Sequence, residues 1–228
     1  MPTLNEIEGM KAIMPKIKKD WVNQILIVDG GSKDGSAEWA REAGYEVMVQ
    51  QKRGLRHAFV EALPHVRGDV IITFSPDGNS IPEAIPPLIE KMKEGYDMVI
   101  ASRYLPPAKS DDDDLITGFG NWFFTKSVNI LHGGHYTDAM VMYRAFRKQI
   151  VYDLELDQDR WYRTPEKLFR CVLSWEPMLS ARAARRRLRI GEIPADEPAR
   201  IGGERKLLII RWGASYYFQF VRDALFWR

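Results

Sequence analysis

Ile25-Leu26-Ile27-Val28-Asp29-Gly30-Gly31-Ser32-Lys33-Asp34-Gly35-Ser36 is the stretch on which the fold turns. Ile25 to Val28 is an apolar run of strand length, and Asp29-Gly30-Gly31-Ser32 ends it in a turn. Ser36 to Glu42 then reads as a helix, with Ser36 as N-cap. Outward from this unit the same alternation recurs. Tyr45 to Gln50 is a second strand, and Phe59 to Leu63 belongs to a second helix. Val70 to Phe74 is a third strand, ending at Ser75-Pro76-Asp77-Gly78-Asn79. Pro82 to Lys93 predicts a helix, and Met98 to Ala101 a fourth strand. Apolar strands alternating with helices predict an α/β fold, a mostly parallel sheet flanked by helices. Ligands of such sheets bind beyond the C-terminal strand ends, where the Asp29 and Asp77 turns fall.

After Ala101 the pattern changes. Pro106-Pro107 and the run Asp111 to Asp114 read as a loop, Gly118 to Leu131 as an amphipathic helix, and Ala139 to Phe146 as a short strand. Arg182 to Arg189 holds five arginines, a composition that ordinarily marks a solvated helix face. The last 22 residues, Leu207 to Arg228, hold seven aromatics interspersed with arginines. They read as an amphipathic segment distinct from the domain formed by residues 1–206. Either Trp212, Tyr216, Phe220 and Trp227 lie at a membrane surface, or they pack on the domain or a second subunit.

The 228 residues suit one well-filled domain. The net charge of +2 gives no reason to expect nucleic acid as a partner. Charge is uneven, however: residues 1–114 carry 14 basic and 19 acidic side chains, residues 115–228 carry 19 and 12. A basic C-terminal half is one argument for an anionic membrane surface. The single cysteine, Cys171, excludes a disulfide scaffold and suits a reducing compartment. With no signal-like start and no apolar run of about 18 residues, the expected place is the cytoplasm, peripheral to the inner face of the membrane.

Two turns carry the candidate chemistry. Asp77 and Asn79 offer a carboxylate and an amide oxygen two residues apart, hard ligands for Mg²⁺ or Mn²⁺, with room for a diphosphate. The glycines after Asp29 let backbone amides approach a nucleotide, and the Asp29 carboxylate can accept from a base or ribose. Neither a P-loop nor a G-x-G-x-x-G fingerprint occurs.

Taken together and in order, these segments resemble the family-2 glycosyltransferases of GT-A fold, especially the polyprenyl- and dolichyl-phosphate sugar synthases. Pro2-Thr3-Leu4-Asn5-Glu6 resembles the family's N-terminal nucleotide loop, and Ile27 to Ser32 its second strand and turn. Ser75 to Asn79 stands at the D-x-D metal site, and Ala101-Ser102-Arg103-Tyr104 resembles G-S-R-Y. Asp138 with Tyr143 to Arg147 resembles D-x-x-x-G-F-R-A-x-R, and Arg200 to Leu207 resembles R-x-x-G-x-S-K-L. The family's leading hydrophobic strand is expected to be missing ahead of Pro2. Ser75 replaces the first aspartate of D-x-D, and Arg205 the usual serine.

The resemblance implies an inverting transfer of a sugar from a nucleoside-diphosphate sugar, metal-dependent, to a lipid-linked or polysaccharide acceptor. It implies nucleotide binding by Pro2, Leu4, Glu6, Asp29, Lys52, Gly54 and Arg56, and a metal on Asp77 and Asn79. Acceptor binding falls to Arg103, Arg144, Arg200 and Lys206. A phosphate acceptor is already ionised near neutral pH. A hydroxyl acceptor needs a general base, for which Asp138 is the candidate, beside Asp77, in the catalytic pair. A non-catalytic nucleotide-sugar-binding relative is the reading from another class.

Overall fold

The computed structural model describes residues 1–202 and 209–227. The first half runs β1 (Pro2–Thr3), α1 (Ile7–Ile13), β2 (Leu26–Asp29), α2 (Ser36–Glu42), β3 (Glu46–Val49), α3 (Leu55–Ala62), β4 (Val70–Thr73), α4 (Ile85–Lys93) and β5 (Met98–Ser102). The second half runs α5 (Leu115–His132), β6 (Arg144–Arg147), α6 (Gln149–Asp153), α7 (Arg163–Phe169), α8 (Glu176–Arg185), β7 (Ile190–Pro194) and α9 (Ile209–Phe226). All four strands expected in the first hundred residues form, within a residue or two of their expected bounds.

The strands make two sheets. In one, β1, β2 and β3 are parallel, with Pro2 opposite Val28 and Leu26 opposite Glu46. In the other, the order is β4-β6-β5-β7; β5 and β7 are parallel, and β6 runs antiparallel to both its neighbours. All five residues of β5 are buried, as befits a strand covered on both faces. The two sheets share no hydrogen-bonded ladder among the described residues. A cavity of about 580 Å³ is lined by Leu26 and Val28 of β2 and by Val70 and Ile72 of β4.

Several local expectations change. Gly35, with φ of 89°, caps α2, and Ser36 is its first helical residue. Ser36 Oγ instead donates to Asp34 Oδ1 at 2.6 Å and accepts from the Glu6 amide at 3.0 Å, tying the β1 loop to α2. The strand read over Ala139 to Phe146 is confined to β6, and α5 begins three residues earlier than expected. Asp114 accounts for that start. Its Oδ1 accepts from the Ile116 and Thr117 amides at 2.9 and 2.8 Å, while Thr117 Oγ1 accepts from the Asp114 amide. The acidic run therefore ends in a capping box rather than in open loop.

The C-terminal helix is part of the core. Tyr216, Phe220 and Trp227 are buried at 6%, 0% and 2% exposure, in the same cluster as Phe146, Trp175 and Leu179, and Trp212 packs against it. Arg182 is likewise fully buried, its Nε on Asp223 Oδ2 at 2.7 Å and its Nη1 on the Leu154 carbonyl. The arginine run is thus not a uniformly solvated face: its first member anchors α8 to α9. Because Phe220 leaves no exposed surface, Phe220→Ala should cost about 3–5 kcal/mol, the usual range for a buried aromatic. Urea unfolding is the check; a cost below about 1 kcal/mol would make α9 an appendage.

Candidate active site

The C-terminal ends of β1, β2, β4 and β5 place the polar residues. After β1, the Asn5 amide donates to Ser32 Oγ at 2.9 Å and the Ile7 amide to Asp34 Oδ2 at 3.1 Å. Asp29, 2% exposed, closes its own turn: Oδ2 accepts from the Gly31 and Ser32 amides at 2.9 and 3.1 Å. Pro2, Leu4, Glu6 and Asp29 are thus brought together around one strand-end turn.

Beyond β4, the Asp77 turn is held from three sides. Asp77 Oδ1 accepts from the Asn79 amide at 3.1 Å, and its carbonyl accepts from the Ile201 amide at 2.7 Å. Gly78 takes φ of 99°, and a Cβ there would stand 2.8 Å from Ile201. From below, Gly9 of α1 comes so close that a Cβ would meet the Pro76 carbonyl oxygen at 2.5 Å. Only glycine allows that approach, a constraint not legible in the motif itself.

Asn79 Oδ1 is buried and has no hydrogen-bond partner. An orphaned amide oxygen beside the Asp77 carboxylate suits a hard divalent cation. Among the described residues no three His, Cys, Asp or Glu side chains converge on a metal position. Asp77 and Asn79 alone would leave most coordination positions of such a cation to other ligands. In this structure Asp77 Oδ2 is paired with Arg200 Nη1 at 2.9 Å.

At the end of β5, Arg103 meets Asp138. Its Nε donates to Asp138 Oδ2 at 2.6 Å and its Nη2 to Oδ1 at 3.0 Å, while Nη1 pairs with Glu197 at 3.2 Å. Asp138 is wholly buried, and Oδ1 also accepts from the Met140 and Val141 amides. Burial pushes its pKa up, but the Arg103 charge and hydrogen bonds prevail and hold it below the usual carboxylate value. A carboxylate so engaged is a positioning group for Arg103, not a free proton acceptor.

A cavity of about 360 Å³ collects these residues: Ser75, Asp77, Asn79, Arg103 and Arg200 line it. Phe124, Met140, Trp212 and Tyr216 supply apolar lining, and Ser174 and Glu176 also border it. The last six come from the second half, and none of them is among the residues expected to bind donor, metal or acceptor.

Other expected ligands lie elsewhere. Arg56, 1% exposed, is spent on Asp159 at 2.5 Å and Glu166 at 3.2 Å, over the Tyr162 ring. It ties α3 to α7 rather than lining a diphosphate. Arg144, fully buried, donates to the Val141 and Ala139 carbonyls and to Ser180 Oγ, so its donors do not reach an acceptor. Lys52 is exposed and Gly54, with φ of 112°, packs on Val172; neither borders the cavity. Lys206 lies outside the described residues.

Asp138→Asn would leave Arg103 facing a neutral amide in a buried site, so a loss of about 3–5 kcal/mol is expected at pH 7. The sign with pH follows from the depressed pKa. The wild-type advantage is complete above the unfolded carboxylate range and disappears as pH falls through the lower folded value. In urea titrations of both proteins the gap seen at pH 7 should narrow as pH is lowered towards 3; a constant gap would refute the pairing.

Comparisons with known proteins bear on family and fold. The Glycosyl transferase family 2 profile matches residues 1–155. The Glycosyltransferase AglJ of Haloferax volcanii is 28% identical over 75% of this chain and 56% of its own length. An undecaprenyl-phosphate 4-deoxy-4-formamido-L-arabinose transferase of Aeromonas hydrophila is 28% identical over 70% of this chain and 51% of its own. This chain thus spans about half the length of those two relatives. An undecaprenyl-phosphate mannosyltransferase of Micrococcus luteus is 27% identical over 99% of this chain and 97% of its own. Among solved structures, glucosyl-3-phosphoglycerate synthase from Mycobacterium tuberculosis with UDP superposes with a TM-score of 0.62 at 16% identity, over 98% of this chain and 78% of that one. That likeness supports the fold.

Proposed function

Since the chain belongs to glycosyl transferase family 2, we propose that it transfers a sugar from a nucleoside-diphosphate sugar to a polyprenyl phosphate, with inversion. The Asp29 turn and the β1 loop would hold the nucleoside. Asp77 and Asn79 would hold Mg²⁺ or Mn²⁺, which when bound offsets the charge of the departing diphosphate. Structures of the mycobacterial synthase contain Mn²⁺ with UDP-glucose, which supports such a cofactor.

The observation that carries the acceptor class is the Arg103–Asp138 pair. A hydroxyl acceptor needs a free base, and Asp138 has both oxygens engaged. A phosphate monoester, with a second pKa of about 6, is already a nucleophile at neutral pH and needs no such base. Relatives named for undecaprenyl phosphate support the same class. The discriminating assay offers UDP-glucose and GDP-mannose, with Mn²⁺, to undecaprenyl phosphate and to undecaprenol. Product is expected with the phosphate alone; transfer to the alcohol would restore a hydroxyl acceptor and require another base.

No helix among the described residues is long and apolar enough to cross a membrane. A peripheral contact is supported by α5 instead of the C-terminal aromatics Tyr216, Phe220 and Trp227, which are buried. Phe119 and Trp122 are 65% and 56% exposed, and Phe123 stacks on Tyr217 at 5.6 Å. The same helix borders the cavity through Ile116 and Thr117, so an apolar chain lying on this face would reach it. Replacing Phe119 and Trp122 by serine should reduce sedimentation with lipid vesicles severalfold and leave melting unchanged. Unchanged sedimentation with a lost dimer would identify the face as a subunit contact.

A further inference from the structure

Glu192 stands in the middle of β7, opposite Ile100 of β5, and does not line the cavity. Its carboxylate nevertheless holds the turn that carries Asp138. Oε1 accepts from the Thr137 and Asp138 amides at 2.9 and 3.2 Å, and Oε2 accepts from Thr137 Oγ1 at 2.8 Å. A carboxylate only accepts, so the single Thr137 hydroxyl proton is committed to Glu192. Thr137 Oγ1 lies 2.5 Å from Ser102 Oγ, and Ser102 must then be the donor of that bond. Ser102, fully buried, accepts in turn from the Tyr104 and Leu105 amides at 3.3 and 3.2 Å. The chain of bonds therefore has one polarity. It runs from the backbone after Arg103 through two hydroxyls to Glu192.

We infer that Glu192 is a positioning residue for Arg103. From β7 it holds the Asp138 turn directly, and it holds the backbone on either side of Arg103 through Thr137 and Ser102. Both ends of the Arg103–Asp138 pair thus hang on one carboxylate that never touches the cavity. That Arg103 meets the acceptor phosphate rests on the proposed function; that Glu192 places it does not. Glu192→Gln breaks one branch whichever way the amide turns. With its NH₂ on Thr137 Oγ1 the hydroxyl chain must reverse, and Ser102 loses the acceptor for its proton. With its NH₂ on the Thr137 and Asp138 amides, donors face donors.

Amide hydrogen exchange of the full chain, resolved by NMR at pH 7, reads the placement without any substrate. In Glu192→Gln the Tyr104 and Leu105 amides should exchange about tenfold faster, the effect of one lost hydrogen bond on local opening. The Ala101 amide, bonded to the Tyr143 carbonyl on the same strand, should keep its wild-type rate. If Glu192→Gln fails to fold, Thr137→Val breaks the same chain, and Thr137→Ser should restore it. Turnover of undecaprenyl phosphate with UDP-glucose or GDP-mannose gives the second readout. The acceptor KM should rise about tenfold with the sugar-nucleotide KM unchanged, and Thr137→Ser should again match wild type. Unchanged exchange at Tyr104 and Leu105, equal acceleration at Ala101, or an unmoved acceptor KM overturns the inference. A wild type inactive on undecaprenyl phosphate overturns the transferase reading instead, and the exchange rates alone then decide the role of Glu192.

Discussion

The buried ion pair between Arg103 and Asp138 is the contact on which the site depends. Arg103 leaves the end of β5, Asp138 lies in the chain between α5 and β6, and Glu197 follows β7; the guanidinium joins all three. A bidentate arginine–carboxylate fork fixes distance and plane at once. Its energetic worth is another matter, since desolvating both charges offsets much of their attraction. What it secures is geometry. The Glu197 amide donates to the Lys109 carbonyl, and Glu197 Oε2 accepts from Ser110. The segment that carries Arg200 back to Asp77 is therefore anchored three residues earlier by the same network.

The first hundred residues were legible because their signal is local. A four-residue apolar run followed by Asp-Gly or Pro-Asp-Gly encodes both the strand and the turn that exposes the ligand. The Asp29 and Asp77 turns stand where that reading puts them. The orphaned Asn79 oxygen is compatible with the metal ligand that the resemblance implies. The second half resists this reading because its decisive contacts span long separations. Arg182 pairs with Asp223 and Arg56 with Glu166. An arginine in a sequence announces a charge, but its partner 41 or 110 residues away decides whether that charge faces solvent.

The same reasoning revises the meaning of the charge asymmetry. The basic excess of the C-terminal half suggested an electropositive surface. Arg144 and Arg182, both in that half, have no exposed area, and Arg182 is matched by Asp223. Part of the excess is internal and contributes no long-range field at a membrane. The aromatics follow a parallel rule. Phe220 and Trp227 look like membrane anchors in a list of residues, yet Phe220 on α9 and Trp227 just after it pack inward, while Phe119 and Trp122 on α5 face outward. Composition cannot distinguish the two faces of a helix; packing can.

Charge balance in the cavity gives the arrangement its chemical sense. Its described lining carries Asp77, Asp112, Asp113, Glu176, Asp196 and Glu197 against Arg103 and Arg200. Both arginines are already matched, Arg103 by Asp138 and Glu197, Arg200 by Asp77. The diphosphate and lipid phosphate of the proposed reaction are both anions, which carboxylates in the lining would repel, the more strongly the lower the local dielectric. On the proposed reading, Asp77 and Asn79 would hold a divalent ion that offsets the charge of the departing diphosphate, and Arg200, now paired with Asp77, would then be available to an anion.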